Sequence, residues 1–418
     1  MAQREIQVYA HWKGMKTPIL MGVLKATQSR GNEIFSFEYS KDWLNSGISQ
    51  FLDPDLQLYS GPQYLVEKKT NFGIFLDSSP DRWGRLLMLR REAVLARAEG
   101  KKEKLHESDY LLGVFDQCRM GALRFKEDKS GPFLNDTKDL AAPPWTSLRD
   151  LERASLELER DDIIDDPDYL KWLNMLLAPG SSLGGARPKA SVLDKNNQLW
   201  IAKFPSRHDN RDIGAWEMVV NELAKRVGIN IAEGSVQKFS GHNHTFLSKR
   251  FDRTTVGERI HFSSAMTLFG YTDGTNFHDG ASYLEFAEFL MKNGANVEKD
   301  LEEVWRRIVF SICIKNTDDH LRNHGFLLTE DGWVLSPAYD INPIETGTGL
   351  KLNISENDNS LDLGLALDVA AYFRLDTDKA NQIIGTVKKE VKGWRALAEK
   401  YKIPKSEQEM MVNAFWSE

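Results

Sequence analysis

The feature that most restricts the fold is a change of hydrophobic period along the chain. Residues 6–11, 18–26 and 33–39 alternate apolar and polar between Gly- and Asn-containing turns, as strands of a half-buried sheet do. The alternation returns at residues 190–193 and 199–204, around Lys195-Asn196-Asn197, and again near Val236 and over 245–251. From about Phe262 the pattern is mostly helical, notably over 283–292, 301–315 and 379–401. Earlier helices are predicted from Pro80 to Ala98, behind Ser and Asp caps, and over 147–159, 169–177 and 213–227. A short strand is predicted over 121–125.

Residues 126–144 turn polar and carry prolines, which reads as a connection between domains. At roughly 150 residues per domain the 418-residue chain accommodates two or three. The expected regions are 1–145, β-rich with one long helix; 146–252, strands around a Gly-rich loop; and 253–418, mostly helical. A net charge of -7 argues against a protein that coats nucleic acid by itself. The two cysteines, Cys118 and Cys313, have neither disulfide-framework nor zinc spacing, so a reducing cytoplasm is expected. No apolar run has signal-peptide or membrane-spanning character, so no membrane association is expected.

Residues 179–189 read PGSSLGGARPK. Small residues let backbone N–H groups approach phosphate oxygens closely, although such runs also form plain surface turns. The segment is neither GxxxxGK[ST] nor GxGxxG. Lys203 ends a strand and can hold phosphates as a point charge. Glu217 sits at the edge of the next helix's apolar stripe as its candidate partner, with Glu222 as a rival.

Residues 315–326, KNTDDHLRNHGF, are followed by SPAYDINP at 336–343. Asp318 and Asn323 have the Asp-x-x-x-x-Asn spacing of a phosphotransfer loop, where the carboxylate takes a hydroxyl proton and the amide oxygen binds metal. Asp340 supplies a second oxygen ligand, a donor set that suits Mg2+. Asp319 competes with Asp318, but only Asp318 gives this spacing. His320 and His324, four apart, have no HExxH glutamate or third zinc ligand, and a serine hydrolase would need a GxSxG elbow that is absent.

Four segments, in order, resemble the HipA family of bacterial serine/threonine kinases, toxins of type II toxin–antitoxin systems. They are FGIFLDSSPDRWGR (72–85), GGARPK (184–189), KRFDR (249–253) and NTDDH (316–320). The resemblance covers most of the chain and implies an α+β, two-lobed, protein-kinase-like fold. It implies Asp318 as catalytic base, Asn323 and Asp340 as Mg2+ ligands, Lys203 as the ATP-phosphate lysine and Glu217 as its partner. Gly184, Gly185, Ala186, Arg187, Pro188 and Lys189 would line the phosphates, although Pro188 has no N–H to donate. The backbone of Lys249, Arg250 and Phe251 would meet adenine. His320, Leu321, Arg322 and Tyr339 complete the implied nucleotide-binding set. Ser182, with Ser181 as the alternative, matches the serine that family members autophosphorylate, and a phosphate there would add roughly -1.5 to -2 charges to the loop.

The implied partners are a HipB-like DNA-binding antitoxin, through which DNA is reached only indirectly, and a protein substrate of the aminoacyl-tRNA synthetase class whose phosphorylation arrests growth and underlies persistence. A small-molecule or lipid phosphotransferase and a non-catalytic nucleotide-binding subunit of a repressor complex are the competing readings.

Overall fold

In the computed structural model the described residues are 3–48, 50–65, 69–100, 104–134, 142–160, 162–177, 185, 187–239, 241 and 243–416. They form two compact units, residues 1–207 with 252–263, and residues 208–251 with 264–418.

The first unit opens with three antiparallel strands, β1 (Gln3–Ala10), β2 (Ile19–Ser29) and β3 (Asn32–Tyr39), as the alternation predicts. Arg30 and Gly31 join β2 to β3 with φ of 49° and 83°, the two-residue turn whose twist suits a hairpin. Gly22 permits the close pairing, because a Cβ there would lie 2.3 Å from the Glu38 carbonyl oxygen. After α1 (Lys41–Leu44) come β4 (Gln63–Tyr64), α2 (Gly73–Asp77), α3 (Arg82–Glu99), α4 (Glu107–Leu112) and β5 (Leu123–Lys126). The sheet order is β4-β3-β2-β1-β5, and Phe35, Phe37, Phe72, Phe75 and Phe125 fill the core.

Arg119 is buried in that core, donating to the carbonyls of Ser78, Leu111 and Val114, with its guanidinium 4.6 Å from the Phe125 ring centroid. Burial lowers its pKa to about 10. The unit continues through α5 (Leu148–Glu157) and α6 (Tyr169–Leu177) to the hairpin of β6 (Lys189–Leu193) and β7 (Leu199–Lys203). Asp194 shapes its turn by accepting from the N–H groups of Asn196 and Gln198, while Asn197 takes φ 58°.

In the second unit α7 (Ile213–Arg226) is capped by Asp212, which accepts from Ala215 N at 3.1 Å and meets His244 Nδ1 at 2.6 Å. Then follow the hairpin of β8 (Gly234–Gln237) and β9 (Thr245–Lys249), and β10 (Phe262–Ser264), where the chain passes back from the first unit. Helices α8 (Ala265–Leu268), α9 (Leu284–Asn293) and α10 (Val297–Cys313) come next. A hairpin, β11 (Gly325–Thr329) with β12 (Gly332–Leu335), interrupts the region read as mostly helical; Phe326 and Leu328, and Trp333 and Leu335, are buried at a spacing of two.

The chain ends in α11 (Leu363–Asp368), α12 (Thr377–Val391), α13 (Trp394–Lys400) and α14 (Lys405–Met410). The single helix expected over 379–401 breaks at Lys392-Gly393, and Trp394 stacks on Phe415 at 4.6 Å and lies 5.8 Å from Trp216. No helix among the described residues is long and apolar enough to cross a membrane.

Two consequences can be measured. In the first unit the Lys189 ammonium meets Asp81 Oδ2 at 2.8 Å, the side chains being 3% and 1% exposed. Lys189→Met removes the cation beside this buried carboxylate and is expected to cost about 3–5 kcal/mol; adding Asp81→Asn, which keeps a capping oxygen, should recover part of this in denaturant titrations. His261, almost fully buried 5.5 Å from Trp12, has its pKa pushed down to about 3 by burial. The folded state therefore holds a neutral imidazole while the unfolded state takes up a proton below about 6.5. Its stabilising contribution is present above that pH and lost as pH falls towards about 3, and His261→Phe should flatten the stability profile across this window.

Candidate functional site

Helix α10 sets the height of the site loop. Its buried stripe, including Leu301, Val304, Trp305, Ile308 and Ile312, fixes it in the second unit. Beyond its end Lys315 takes φ 47°, and Asn316 N returns to the Ser311 carbonyl at 2.9 Å. The loop then folds on itself: the Asp318 carbonyl accepts from His320 N at 2.9 Å and from Asn323 Nδ2 at 3.1 Å. The Asn323 amide nitrogen is thereby engaged, while its Oδ1 makes no hydrogen bond among the described residues.

The two adjacent carboxylates have opposite environments. Asp319 is 3% exposed and receives the Tyr283 hydroxyl at 2.5 Å, with His324 Nε2 at 2.9 Å and Ser311 Oγ at 3.4 Å. Burial alone would raise its pKa; the charge of His324, with the hydrogen bonds of His324 and Tyr283 and the charge of His320, outweighs burial and holds the carboxyl below its ordinary range. The same contact, together with burial, pushes the Tyr283 phenol well above its usual value. Asp318 is exposed and makes no side-chain hydrogen bond or ion pair among the described residues.

Residues 339–342 lie against this loop. Tyr339 donates its hydroxyl to the Arg322 carbonyl at 2.8 Å, and Asn342 N donates to Asn316 Oδ1 at 3.2 Å. Asp340 adopts φ 57°, a left-handed conformation that Asp tolerates better than most residues and that recurs at functional sites. Its Oδ1 lies 3.4 Å from Asn342 Nδ2. Asn342 Oδ1 is buried without a hydrogen-bond partner among the described residues. Sequence reasoning passed over Asn342; its signal was an amide two positions after the candidate metal ligand.

This donor set of one carboxylate and neutral amide oxygens fits a hard cation such as Mg2+. Among the described residues no group of three or more His, Cys, Asp or Glu is placed to hold a metal, so the spacing of His320 and His324 does not make a zinc site there. The turn over 321–323 places Leu321 inside and leaves Arg322 half-buried, 3.5 Å from Asp273.

Elsewhere in the second unit, Phe251 and Tyr339 have ring centroids 5.4 Å apart, Arg250 is buried, and Lys249 N donates to the Glu233 carbonyl at 2.8 Å. Glu217 is buried on α7. Its rival Glu222 accepts from Lys400 Nζ and the Tyr401 hydroxyl, an engagement that ties α7 to α13.

In the first unit, Lys203 closes β7 half-buried and pairs directly across from Lys189. Like charges so placed repel, and Lys189 is paired with Asp81. Lys189 also donates to the Gly185 carbonyl at 3.0 Å, so its ammonium anchors the end of the Gly-rich segment. Pro188 is buried and its carbonyl accepts from Phe204 N at 2.9 Å, while Arg187 is half-buried and Gly185 exposed. Ser181, Ser182, Gly184 and Ala186 lie outside the described residues.

A family model described as the HipA-like C-terminal domain matches residues 181–394, just over half of the chain. A Haemophilus influenzae protein named "Putative kinase" is 26% identical over 179 residues, 38% of this chain and 52% of its own length. The Shewanella oneidensis serine/threonine-protein kinase toxin HipA is 24% identical over 225 residues, 47% of this chain and 50% of its own. The chain thus spans about half the length of these curated relatives. A chain from the solved Shewanella oneidensis complex of HipA, HipB and operator DNA superposes with a TM-score of 0.68 at 18% identity, over 98% of this chain and 94% of that one. That likeness is one of fold, and it bears out the α+β HipA-like architecture expected above. By the domain that it carries, the chain belongs to the HipA family.

Proposed function

We propose that the chain is an ATP- and Mg2+-dependent serine/threonine protein kinase, the toxin of a toxin–antitoxin pair. The observation that carries the reading is the contrast within the Asp318-Asp319 pair: Asp319 is locked inside while Asp318 stands exposed on a loop closed by Asn323. A carboxylate that is exposed and makes no hydrogen bond or ion pair among the described residues is what a hydroxyl acceptor needs. Asp318 would receive the proton as the acceptor oxygen bonds to the γ-phosphorus and the bond from phosphorus to the β,γ-bridging oxygen breaks.

The Asp340 carboxylate and the Asn323 amide oxygen would hold Mg2+, with Asn342 Oδ1 as a further acceptor; when bound, the cation offsets charge on the phosphates. Lys203 would hold the phosphates with the segment from Gly184 to Lys189, Lys189 contributing through its anchorage of Gly185. Glu217 would position Lys203. The backbone of Lys249, Arg250 and Phe251 would meet adenine, and His320, Leu321, Arg322 and Tyr339 would frame the loop. The regions 1–145, 146–252 and 253–418 remain our division of these roles.

A HipB-like antitoxin would bring this acidic chain to operator DNA, since a basic partner supplies the phosphate neutralisation that a net charge of -7 does not. The acceptor would be a protein, an aminoacyl-tRNA synthetase by class, and self-phosphorylation at Ser182, or Ser181, would expel the loop from the nucleotide and silence the enzyme.

Intact mass and phosphosite mapping after incubation with Mg·ATP test the reading. Phosphate is expected on Ser182 or Ser181 in the wild type. Asp318→Asn should slow its appearance by about 10²–10⁴-fold with little change in thermal midpoint, whereas Asp319→Asn should lower the midpoint. Phosphate arriving at the wild-type rate in Asp318→Asn, or none on an unmodified wild type that binds ATP, would overturn the assignment.

A further inference from the structure

Away from these groups, the first unit contains a cavity of about 450 Å³ beside the end of β1, within the size range of small-molecule sites. Its charged wall is Asp116, Arg124 and Arg259, and its apolar wall is Trp12, Met15 and Phe115. Asp116 is 3% exposed on its side chain and takes both guanidinium groups: Arg124 Nη2 at 2.7 Å and Arg259 Nη2 at 2.9 Å on the same oxygen. Arg259 also donates to the Asp116 carbonyl at 2.7 Å. The buried Asp252 also acts on Arg259 but is itself paired with Arg253 at 2.5 Å, so Arg124, Arg259 and Arg253 against Asp116 and Asp252 leave an excess of one positive charge. Arg259 Nη1 is buried without a hydrogen-bond partner among the described residues.

An uncompensated buried charge and an unsatisfied buried donor are both unfavourable, and one bound anion would relieve both. The local field agrees. His11, whose Nδ1 lies 3.4 Å from Arg124 Nη1, has its pKa lowered by burial and then by Arg124 and Arg259. Asp116 is held below the carboxylate range because those arginines outweigh its burial. Glu258 at the rim is exposed and disfavours a dianion. The planar guanidinium fork matches a carboxylate.

We infer that this cavity binds a small monoanionic carboxylate with an apolar body, its carboxylate on Arg259 and its body against Trp12, Met15 and Phe115. The site is independent of the phosphotransfer reading. Calorimetric titration of the full chain with phenylacetate and indole-3-acetate, against the neutral phenylacetamide, tests it. Both carboxylates should bind at millimolar affinity or tighter, at least about tenfold more tightly than the amide. Arg259→Met should abolish that discrimination, with its thermal midpoint measured as a control for folding. Should that variant not fold, Val256→Glu, at a rim position that is 81% exposed, should weaken the carboxylates several-fold and leave the amide unchanged. Equal binding of acid and amide, no binding of either carboxylate up to about 10 mM, tighter binding of inorganic phosphate, or variants that discriminate as the wild type does would each overturn the assignment.

Discussion

The candidate site depends on one buried carboxylate. Asp319 makes no sense as a surface residue: a hydroxyl, an imidazole and a serine converge on it, from α9's leading edge, from the residue before β11 and from α10. Burying a carboxylate is costly unless it is paired and hydrogen-bonded, and the convergence of Tyr283, His324 and Ser311 meets that condition. The chain turns tightly here, His320 N returning to the Asp318 carbonyl at 2.9 Å, so that Asp319 lies inside while Asp318 is exposed. Asp319 thus holds the loop from inside, and the Asn323 amide closes it by binding the Asp318 carbonyl.

The first unit uses the same device with opposite sign. Lys189 is a cation inside the protein, stabilised by the cap residue of α3. One contact does three things: Asp81 starts the helix through Gly84 N, neutralises Lys189, and so lets Lys189 hold the Gly185 carbonyl. The segment 72–85 is buried at Asp77, Ser78, Ser79 and Asp81, which is where its polar residues find carbonyl, hydroxyl and ammonium partners. The sequence marks Asp81 as a helix cap, but not the Lys189 ammonium that it also meets.

Much of this was legible in the chain. Strands β1 to β3 followed from alternation, α3 from Pro80 and its acidic cap, and the Asp318–Asn323 loop from spacing. What stayed hidden was whatever depends on contacts distant in sequence. Spacing alone separates Asp318 from Asp319 in the sequence; the burial of Asp319 depends in part on Tyr283, 36 positions earlier. Lys189 looked like a phosphate contact because its neighbours are small; Asp81, 108 residues away, decides its direction. The hairpin β11–β12 was missed because each strand is only four or five residues long, too short for period two to stand out from a helical background. The break at Gly393 reflects a tertiary demand, the seating of Trp394 against Phe415 and Trp216.

The segments that identify the family are thus not all segments that would carry its chemistry. In KRFDR the last two residues belong to the first unit, where Asp252 accepts from Gly121 N at 2.8 Å and Arg253 donates to the carbonyls of Gln117, Gly121 and Arg119. The Gly121 N–H is buried and the carbonyls of Arg119 and Gly121 are partly so, while that of Gln117, in a short 3-10 turn, is exposed. Leaving the buried ones unpaired would be costly, and the charged residues at 252 and 253 meet that demand of the loop at 117–121. Fold specificity concentrates where buried polar backbone must be met by a few charged side chains, and that requirement is as restrictive on sequence as catalysis is.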